Sequence, residues 1–194
     1  MVEVRYIDID DLKKIREFFH YRDKVVMLCL LNFGVNVAIR ISDLLNLKFE
    51  DIPKNNIISI VEKKTNKRKV FPLNKVCIKA LNDLKKHYKS LGYDTKTGYL
   101  FKSSNREYVK YLIDRPITRY AVSKHLNEAK DYLNIHYPIS THSFRKTFGH
   151  YYYLKTGNIA LLMEIFNHSS QAVTLRYIGI TQDDINSAYL SMEL

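Results

Sequence analysis

The chain has 194 residues, and 31 lysines and arginines against 20 aspartates and glutamates give it a formal net charge of +11. No stretch approaches the roughly 18 apolar residues of a membrane helix, and residues 1–5 lack the basic-then-apolar pattern of a secretory signal. These features predict neither a membrane-spanning helix nor a secretory signal, and we expect a cytoplasmic protein.

The first two predicted helices differ in how apolar they are. Residues 12–19 repeat apolar side chains at helical spacing, and Asp10 or Asp11 stands where an N-cap is expected. A more apolar helix starts at Asp23, and Gly34 is a plausible stop for it. The first helix is therefore predicted to be amphipathic and the second to lie in the core.

A short helix and a hairpin follow. Ser42 is predicted to cap the short helix, which places Arg40 at its entrance. Residues 57–62 and 70–73 are rich in β-branched and apolar side chains and flank the basic stretch 63–69. This pattern predicts two strands joined by a basic turn.

The rest of the chain is predicted to be mainly helical. A short strand is expected over residues 99–101. Helices are predicted over 74–90, 118–133, from Ser140 or Thr141 through Tyr152, from Asn158 through Phe166, over 173–177 and, weakly, over 183–190.

These elements indicate an α+β fold, mostly α-helical with one small antiparallel β-sheet. The low count of 6 Gly and 4 Pro and the absence of a linker favour one domain over residues 1–194. Cys29 and Cys77 lie in apolar runs without metal-ligand spacing, so we expect buried thiols in a reducing compartment.

The positive charge favours a polyanionic partner. Nucleic acid is the leading candidate, because basic surfaces gain affinity by releasing counterions from a phosphate backbone. A basic surface with no such partner remains the alternative, since net charge describes association and not fold.

Four short motifs suggest a chemistry. One is Ala38-Ile39-Arg40-Ile41-Ser42-Asp43-Leu44-Leu45, and the others are Thr141-His142-Ser143-Phe144-Arg145, Phe166-Asn167-His168-Ser169-Ser170 and Thr174-Leu175-Arg176-Tyr177-Ile178. Together they resemble the signature of the tyrosine recombinases of the phage-integrase type. That family has an arginine in a G-L-R-I-S-E-L-like sequence, then H-x-x-R, a G-H-S-S-like element and a tyrosine about nine residues later. Each motif alone is weak, but four in this order are hard to obtain by chance.

The family also carries a catalytic lysine on a β-hairpin, in a K-T-G-K-like pattern before a V-P-L-like strand. Lys64-Thr65-Asn66-Lys67 before Val70-Phe71-Pro72-Leu73 resembles it, and Lys63 and Lys67 are rivals to Lys64 for that role. The sequence departs from the family where Ala38 and Asn167 stand at positions that are usually glycine. Asparagine tolerates left-handed backbone better than most residues do.

The matching residues suit phosphoryl transfer. Arg40 and Arg145 can hold non-bridging phosphate oxygens through bidentate hydrogen bonds. His142 shares a helix face with Arg145, and His168 lies at a helix boundary, where its imidazole can donate to a phosphate oxygen. Tyr177 is the expected nucleophile, although a phenol with a pKa of about 10 needs cationic neighbours to lose its proton.

Two further roles follow from the resemblance. Lys64 is expected to be the general acid that protonates the leaving 5′-oxygen, with a simple phosphate contact from the turn as the alternative. Asp43 aligns with an acidic residue that orients a side chain or caps the helix, so we treat it as supporting.

The resemblance also implies how such a protein works. The tyrosine forms a 3′-phosphotyrosyl link to double-stranded DNA and a partner strand reverses the step, so neither metal nor nucleotide cofactor is expected. A homotetramer on two duplexes is implied, with residues 183–190 passing to a neighbouring subunit, and accessory DNA-bending or directionality proteins can accompany it. The family's N-terminal clamp domain is expected to be absent from this chain.

Two alternatives remain open. A type IB topoisomerase shares this chemistry but only relaxes supercoils, and a non-catalytic DNA-binding accessory protein would share only the fold. The accessory reading would be favoured by a missing Arg40, Arg145 or Tyr177, and all three are present.

Overall fold

The computed structural model describes residues 4–192, without the side chains of residues 182, 183, 185, 187 and 188. Strands β1 (Ile57–Val61) and β2 (Arg68–Pro72) form an antiparallel pair. The helices of this range are α1 (Ile9–Tyr21), α2 (Val25–Val37), α3 (Ile41–Leu44), α4 (Lys75–Ser90), α5 (Arg106–Lys110), α6 (Arg119–Tyr132), α7 (Thr141–Thr156), α8 (Ile159–Phe166), α9 (Gln171–Ile178) and α10 (Gln182–Ser191). The mostly helical class with one small antiparallel sheet is thereby confirmed.

Helix α2 lies at the centre and packs against α1, α4 and α7. It runs to Val37, so the prediction that Gly34 ends it was wrong. Gly34 instead lets α7 approach closely, because a Cβ there would lie 2.6 Å from the Phe144 ring. The left-handed residue that caps α2 is Ala38, with φ of 53°.

The hairpin has the predicted basic turn. Its register pairs Ile57 with Pro72 and Val61 with Arg68. The turn closes where the N–H of Glu62 donates to the Lys67 carbonyl at 3.0 Å and the N–H of Asn66, at φ of 52°, donates back to Glu62 at 2.9 Å. Short, strongly basic turns of this kind remain exposed to solvent.

Three local predictions are corrected. Helix α1 begins at Ile9 after Asp8, so the predicted caps Asp10 and Asp11 lie inside it. Helix α3 begins at Ile41 with Arg40 as its N-cap, so Ser42 does not cap it. Residues 99–101 form no regular strand within the described range, since Tyr99 makes an isolated bridge and Leu100 donates to the carbonyl of Leu47. Helix α5 was not predicted, because it buries no residue that would mark an apolar face.

Two apolar clusters support the molecule. The main core takes side chains from the hairpin and from α1, α2, α3, α4, α6 and α7. A smaller C-terminal cluster is built on Ala38, Leu162, Phe166 and Ile178. No helix within residues 4–192 is long and apolar enough to cross a membrane.

Candidate active site

Arg40 lies at the junction of α2 and α3, directly after the left-handed turn. Its backbone is extended, at φ of −69° and ψ of 149°, and its side chain is 21% exposed. Guanidinium Nη1 lies 2.8 Å from Glu62 Oε1 as an ion pair. Among the described residues, neither atom makes a hydrogen bond of good geometry.

Arg145 occupies the second turn of α7, and its side chain is buried. Nη1 donates to the carbonyl of Ala38, and Nη2 donates to the carbonyl of Phe166 at 2.7 Å. The guanidinium carbon lies 4.3 Å from the centroid of the Phe166 ring. Arg145 therefore satisfies carbonyls at the ends of α2 and α8, which have no partner inside their own helices.

Glu62 is the residue of the site that sequence reasoning missed most clearly. Its carboxylate is fully buried and accepts hydrogen bonds from Thr65 Oγ1 at 2.9 Å and Asn167 Nδ2 at 2.8 Å. It also lies 3.8 Å from Arg145 Nη1. Burial opposes its ionisation, but the bonds from Thr65 and Asn167 and the charge of Arg40 keep the pKa of Glu62 below its ordinary value.

Lys69 was also missed. From β2 its ammonium donates to the carbonyl of Ala38 at 3.0 Å and to that of Ile165 at 2.7 Å. Burial, aided by the charge of Arg145, lowers the pKa of Lys69 to about 8. We call the side chains of Glu62, Lys69 and Arg145 the floor of the site, since all three lie beneath Arg40.

His168 follows the left-handed residue Asn167, whose φ of 51° fits the expected tolerance of asparagine for this conformation. The Thr174 hydroxyl donates to the Ser170 carbonyl at 2.8 Å and lies 3.1 Å from His168 Nδ1. The hydroxyl has one proton, which it gives to Ser170. In the contact between Thr174 and His168 we therefore assign the proton to Nδ1. Burial and the charges of Arg145 and Arg40 lower the pKa of His168.

Tyr177 lies in the last turn of α9, with its ring edge-on to those of Phe166 and His168 at centroid distances of 5.4 and 5.3 Å. Burial raises the pKa of Tyr177, and the charges of Arg145 and Arg40, with a hydrogen bond from Arg145, act in the opposite direction. The tyrosine thus lies beside the arginine pair within the same chain.

His142 and Lys64 are exposed and lie at the edge of the site. His142 Nε2 lies 3.2 Å from Arg119 Nη2. Burial, then the charges of Arg119, Lys146, Arg145 and Lys64, lower the pKa of His142. We call Lys64, Arg119 and His142 the rim, since all three face solvent.

Asp43 joins α3 to the turn that carries Lys64. Its carboxylate is buried, and Oδ1 accepts the N–H of Lys63 at 3.1 Å. Its role is therefore structural support, and it makes no cap for α3.

Of the predicted residues, the structure brings Arg40, Arg145, His168 and Tyr177 into one cluster and leaves His142 and Lys64 exposed at its edge. Two weak signals pointed to the missed residues. Glu62 is the acidic residue directly before the basic stretch 63–69, and Lys69 shares a face of β2 with the half-buried Phe71.

Residues 5–183 match the family model described as the phage integrase family. This chain therefore belongs to that family. It is 36% identical to the probable integrase/recombinase YoeC of Bacillus subtilis over 93% of both chains. It is 25% identical to a probable integrase/recombinase of Acholeplasma phage L2, covering 87% of this chain but 59% of that relative.

Solved structures confirm the fold. A crystal structure of the XerA recombinase aligns with a TM-score of 0.75 at 20% identity, covering 100% of this chain and 68% of that one. A lambda integrase tetramer bound to a Holliday junction aligns with a TM-score of 0.69 at 17% identity, covering 91% and 48%. The fold is therefore that of tyrosine recombinase catalytic domains.

Proposed function

We propose that this chain is a catalytically active site-specific DNA recombinase that cleaves and rejoins strands through Tyr177. The observation that supports the proposal is that Tyr177 lies where the charges of Arg40 and Arg145 act on it and where its ring contacts that of His168. A packing role alone does not account for a tyrosine whose neighbours are three potential phosphate ligands.

In the proposed step, the Tyr177 oxygen forms a bond to phosphorus and the bond from phosphorus to the 5′-oxygen breaks. Arg40 and Arg145 hold the non-bridging oxygens, whose negative charge they neutralise. Attack by a free 5′-hydroxyl on the phosphotyrosine reverses the step. Each step exchanges one ester for another, so no nucleotide is consumed.

Protons move at both ends of this exchange. Tyr177 is protonated at neutral pH before DNA binds, because burial raises its pKa. His168, with its proton assigned to Nδ1, offers Nε2 either to accept that proton or, once charged, to donate to the phosphate. Lys64 supplies the proton that the departing 5′-oxygen needs, with His142 beside it on the rim.

Capture of a covalent adduct tests this proposal without knowledge of the DNA site. The protein is incubated with a library of nicked duplexes, so that cleavage releases a short fragment and traps the enzyme. Adducts that survive denaturant are then digested and sequenced. We expect a DNA-linked peptide containing Tyr177 in the wild type and in the exposed control Tyr120→Phe, and none in Tyr177→Phe.

Adduct in Tyr177→Phe would show that another residue attacks, and adduct in no variant would show that this chain does not cleave DNA. A captured site then allows a second assay with two duplexes. Exchange of strands between them identifies a recombinase, whereas plasmid relaxation without exchange identifies a topoisomerase-like enzyme.

We propose in addition that four copies act on two duplexes. Helix α10 presents Tyr189 and Leu190 with 80% and 82% of their surfaces exposed, and Met192 directly after it is 67% exposed. Exposed apolar side chains on a terminal helix suit a groove on a neighbouring subunit. Sedimentation of the DNA complex should show a tetramer, and Tyr189→Ser with Leu190→Ser should leave smaller complexes.

A further inference from the structure

Glu62 connects three segments that carry the proposed catalytic residues. It pairs with Arg40, accepts from Thr65 next to Lys64, and accepts from Asn167 next to His168. No other carboxylate among the described residues has ion-pair contacts to both Arg40 and Arg145. Its full burial places it behind the arginines rather than in the path of a phosphate from solvent.

A buried carboxylate is costly unless its charge is compensated and its oxygens are bonded. At Glu62, Oε2 receives two hydrogen bonds and Oε1 faces Arg40 Nη1. Replacing a buried ion pair by apolar side chains is often neutral or stabilising, so stability alone does not account for a carboxylate here. Its retention at this junction suggests a task beyond stability.

The sum of the charges around Glu62 shows why its negative charge does not prevent phosphate binding. Arg40, Lys69 and Arg145 bring three positive charges to this region, and Glu62 and Asp43 bring two negative charges, so one positive charge remains in excess. A phosphodiester with a single negative charge still meets an excess of positive charge. One edge of a guanidinium can be held by a carboxylate while its remaining donors face a second anion.

We propose that Glu62 is a positioning residue, which orients Arg40 toward the scissile phosphate and couples that orientation to the Lys64 turn and the His168 loop. This inference rests on the proposed function. Glu62 itself touches no reacting atom, and it acts through Arg40.

The test compares Glu62→Gln with the wild type and with Glu50→Gln, an exposed carboxylate that lies 3.7 Å from Lys48 and accepts the N–H of Gly98 at 2.8 Å. Glutamine keeps the shape and the acceptor oxygen but removes the charge that holds Arg40. We expect the rate of adduct formation at saturating DNA to fall about 10- to 100-fold, as for a slightly misplaced group. Half-saturation by DNA should stay within about twofold, because many other basic residues bind the backbone.

A second readout does not depend on activity. Nitrogen-15 spectra of arginine side chains, assigned with Arg40→Lys, report whether the Arg40 guanidinium is held through Nη1, the atom that faces Glu62. We expect slow hydrogen exchange in the wild type, and exchange at the rate of exposed Arg106 in Glu62→Gln. If the wild type forms no adduct, the proposed function fails, and these spectra still decide the positioning role.

Two milder variants cover the case in which Glu62→Gln does not fold. Thr65→Val and Asn167→Gly each remove one hydrogen bond to Glu62, and glycine keeps the left-handed turn at residue 167. Each should slow adduct formation by about fivefold, the value of one hydrogen bond. Unchanged or faster cleavage in the folded variants, with slow exchange at Arg40, would overturn the proposal.

Discussion

The floor and the rim of the site are built in opposite ways. The floor residues Glu62, Lys69 and Arg145 are bonded to backbone carbonyls and to neighbouring side chains beneath Arg40. The rim residues Lys64, Arg119 and His142 face solvent. A buried network is already in place before a ligand arrives, whereas exposed side chains adapt to it. The difference therefore separates residues that affect both stability and activity from residues that affect activity alone.

The largest effect is expected for Arg145→Ala. This change leaves the carbonyl of Phe166 without its donor and removes one of the cations beside Glu62. Loss of one partner of a buried ion pair should lower the free energy of unfolding by about 3–5 kcal/mol. Urea denaturation measures this, and Arg119→Ala on the rim should stay within about 0.5 kcal/mol of wild type. Equal losses would erase the distinction between floor and rim.

Alanine substitutions at two glycines test the same comparison, with an expected loss of stability between those of the floor and rim variants. A Cβ on Gly34 would lie 2.6 Å from Phe144 in the main core, and one on Gly149 would lie 2.6 Å from Phe166 beneath the site. Each alanine variant should lose about 1–3 kcal/mol through overpacking. Gly149→Ala should also slow adduct formation more than Gly34→Ala, because Phe166 and Ile178 adjoin His168 and Tyr177. Equal rates at equal stability would contradict this.

Lys69 gives the floor a pH dependence. Burial lowers its pKa to about 8, while an unfolded lysine titrates near about 10.4, so the unfolded chain binds more protons between these values. The contribution of Lys69 to stability is therefore complete above the unfolded pKa and is lost as pH falls through about 8. From pH 8 to 10, the wild type should gain about 1 kcal/mol per pH unit relative to Lys69→Met, measured by denaturant titration. If the free energy of unfolding changes with pH in the same way for the two proteins, the lowered pKa of Lys69 is wrong.

The smallest stability effect is expected for Lys64→Ala, within about 0.5 kcal/mol, because the side chain is exposed. Cleavage should nevertheless fall by about 10²–10⁴-fold if Lys64 is the general acid. A substrate with sulfur at the 5′-bridging position, which leaves without protonation, should restore the rate. The same assay on Lys63→Ala and Lys67→Ala tests the two rivals. If the sulfur substrate restores the rate of one of these variants and not that of Lys64→Ala, the general-acid role belongs to that lysine.

The sequence predicted most helices and the hairpin because their apolar repeats and cap residues are local. It failed where packing overrode a local signal. Gly34 was predicted to end α2, but the approach of Phe144 explains that glycine, and the left-handed end falls at Ala38. Residues 99–101 carry a strand-like composition, yet the bonds of Tyr99 and Leu100 lead to the loop around residues 47–48.

By itself, the sequence determined the fold class, the family and the identity of the candidate residues, because these are written in short motifs and in periodicity. Only the tertiary structure decided that Glu62 and Lys69 join those motifs beneath Arg40. Both residues form hydrogen bonds with carbonyls or side chains up to about a hundred positions away, so no local sequence pattern predicts these partners. A buried charge acquires its partners only when the distant segments pack together.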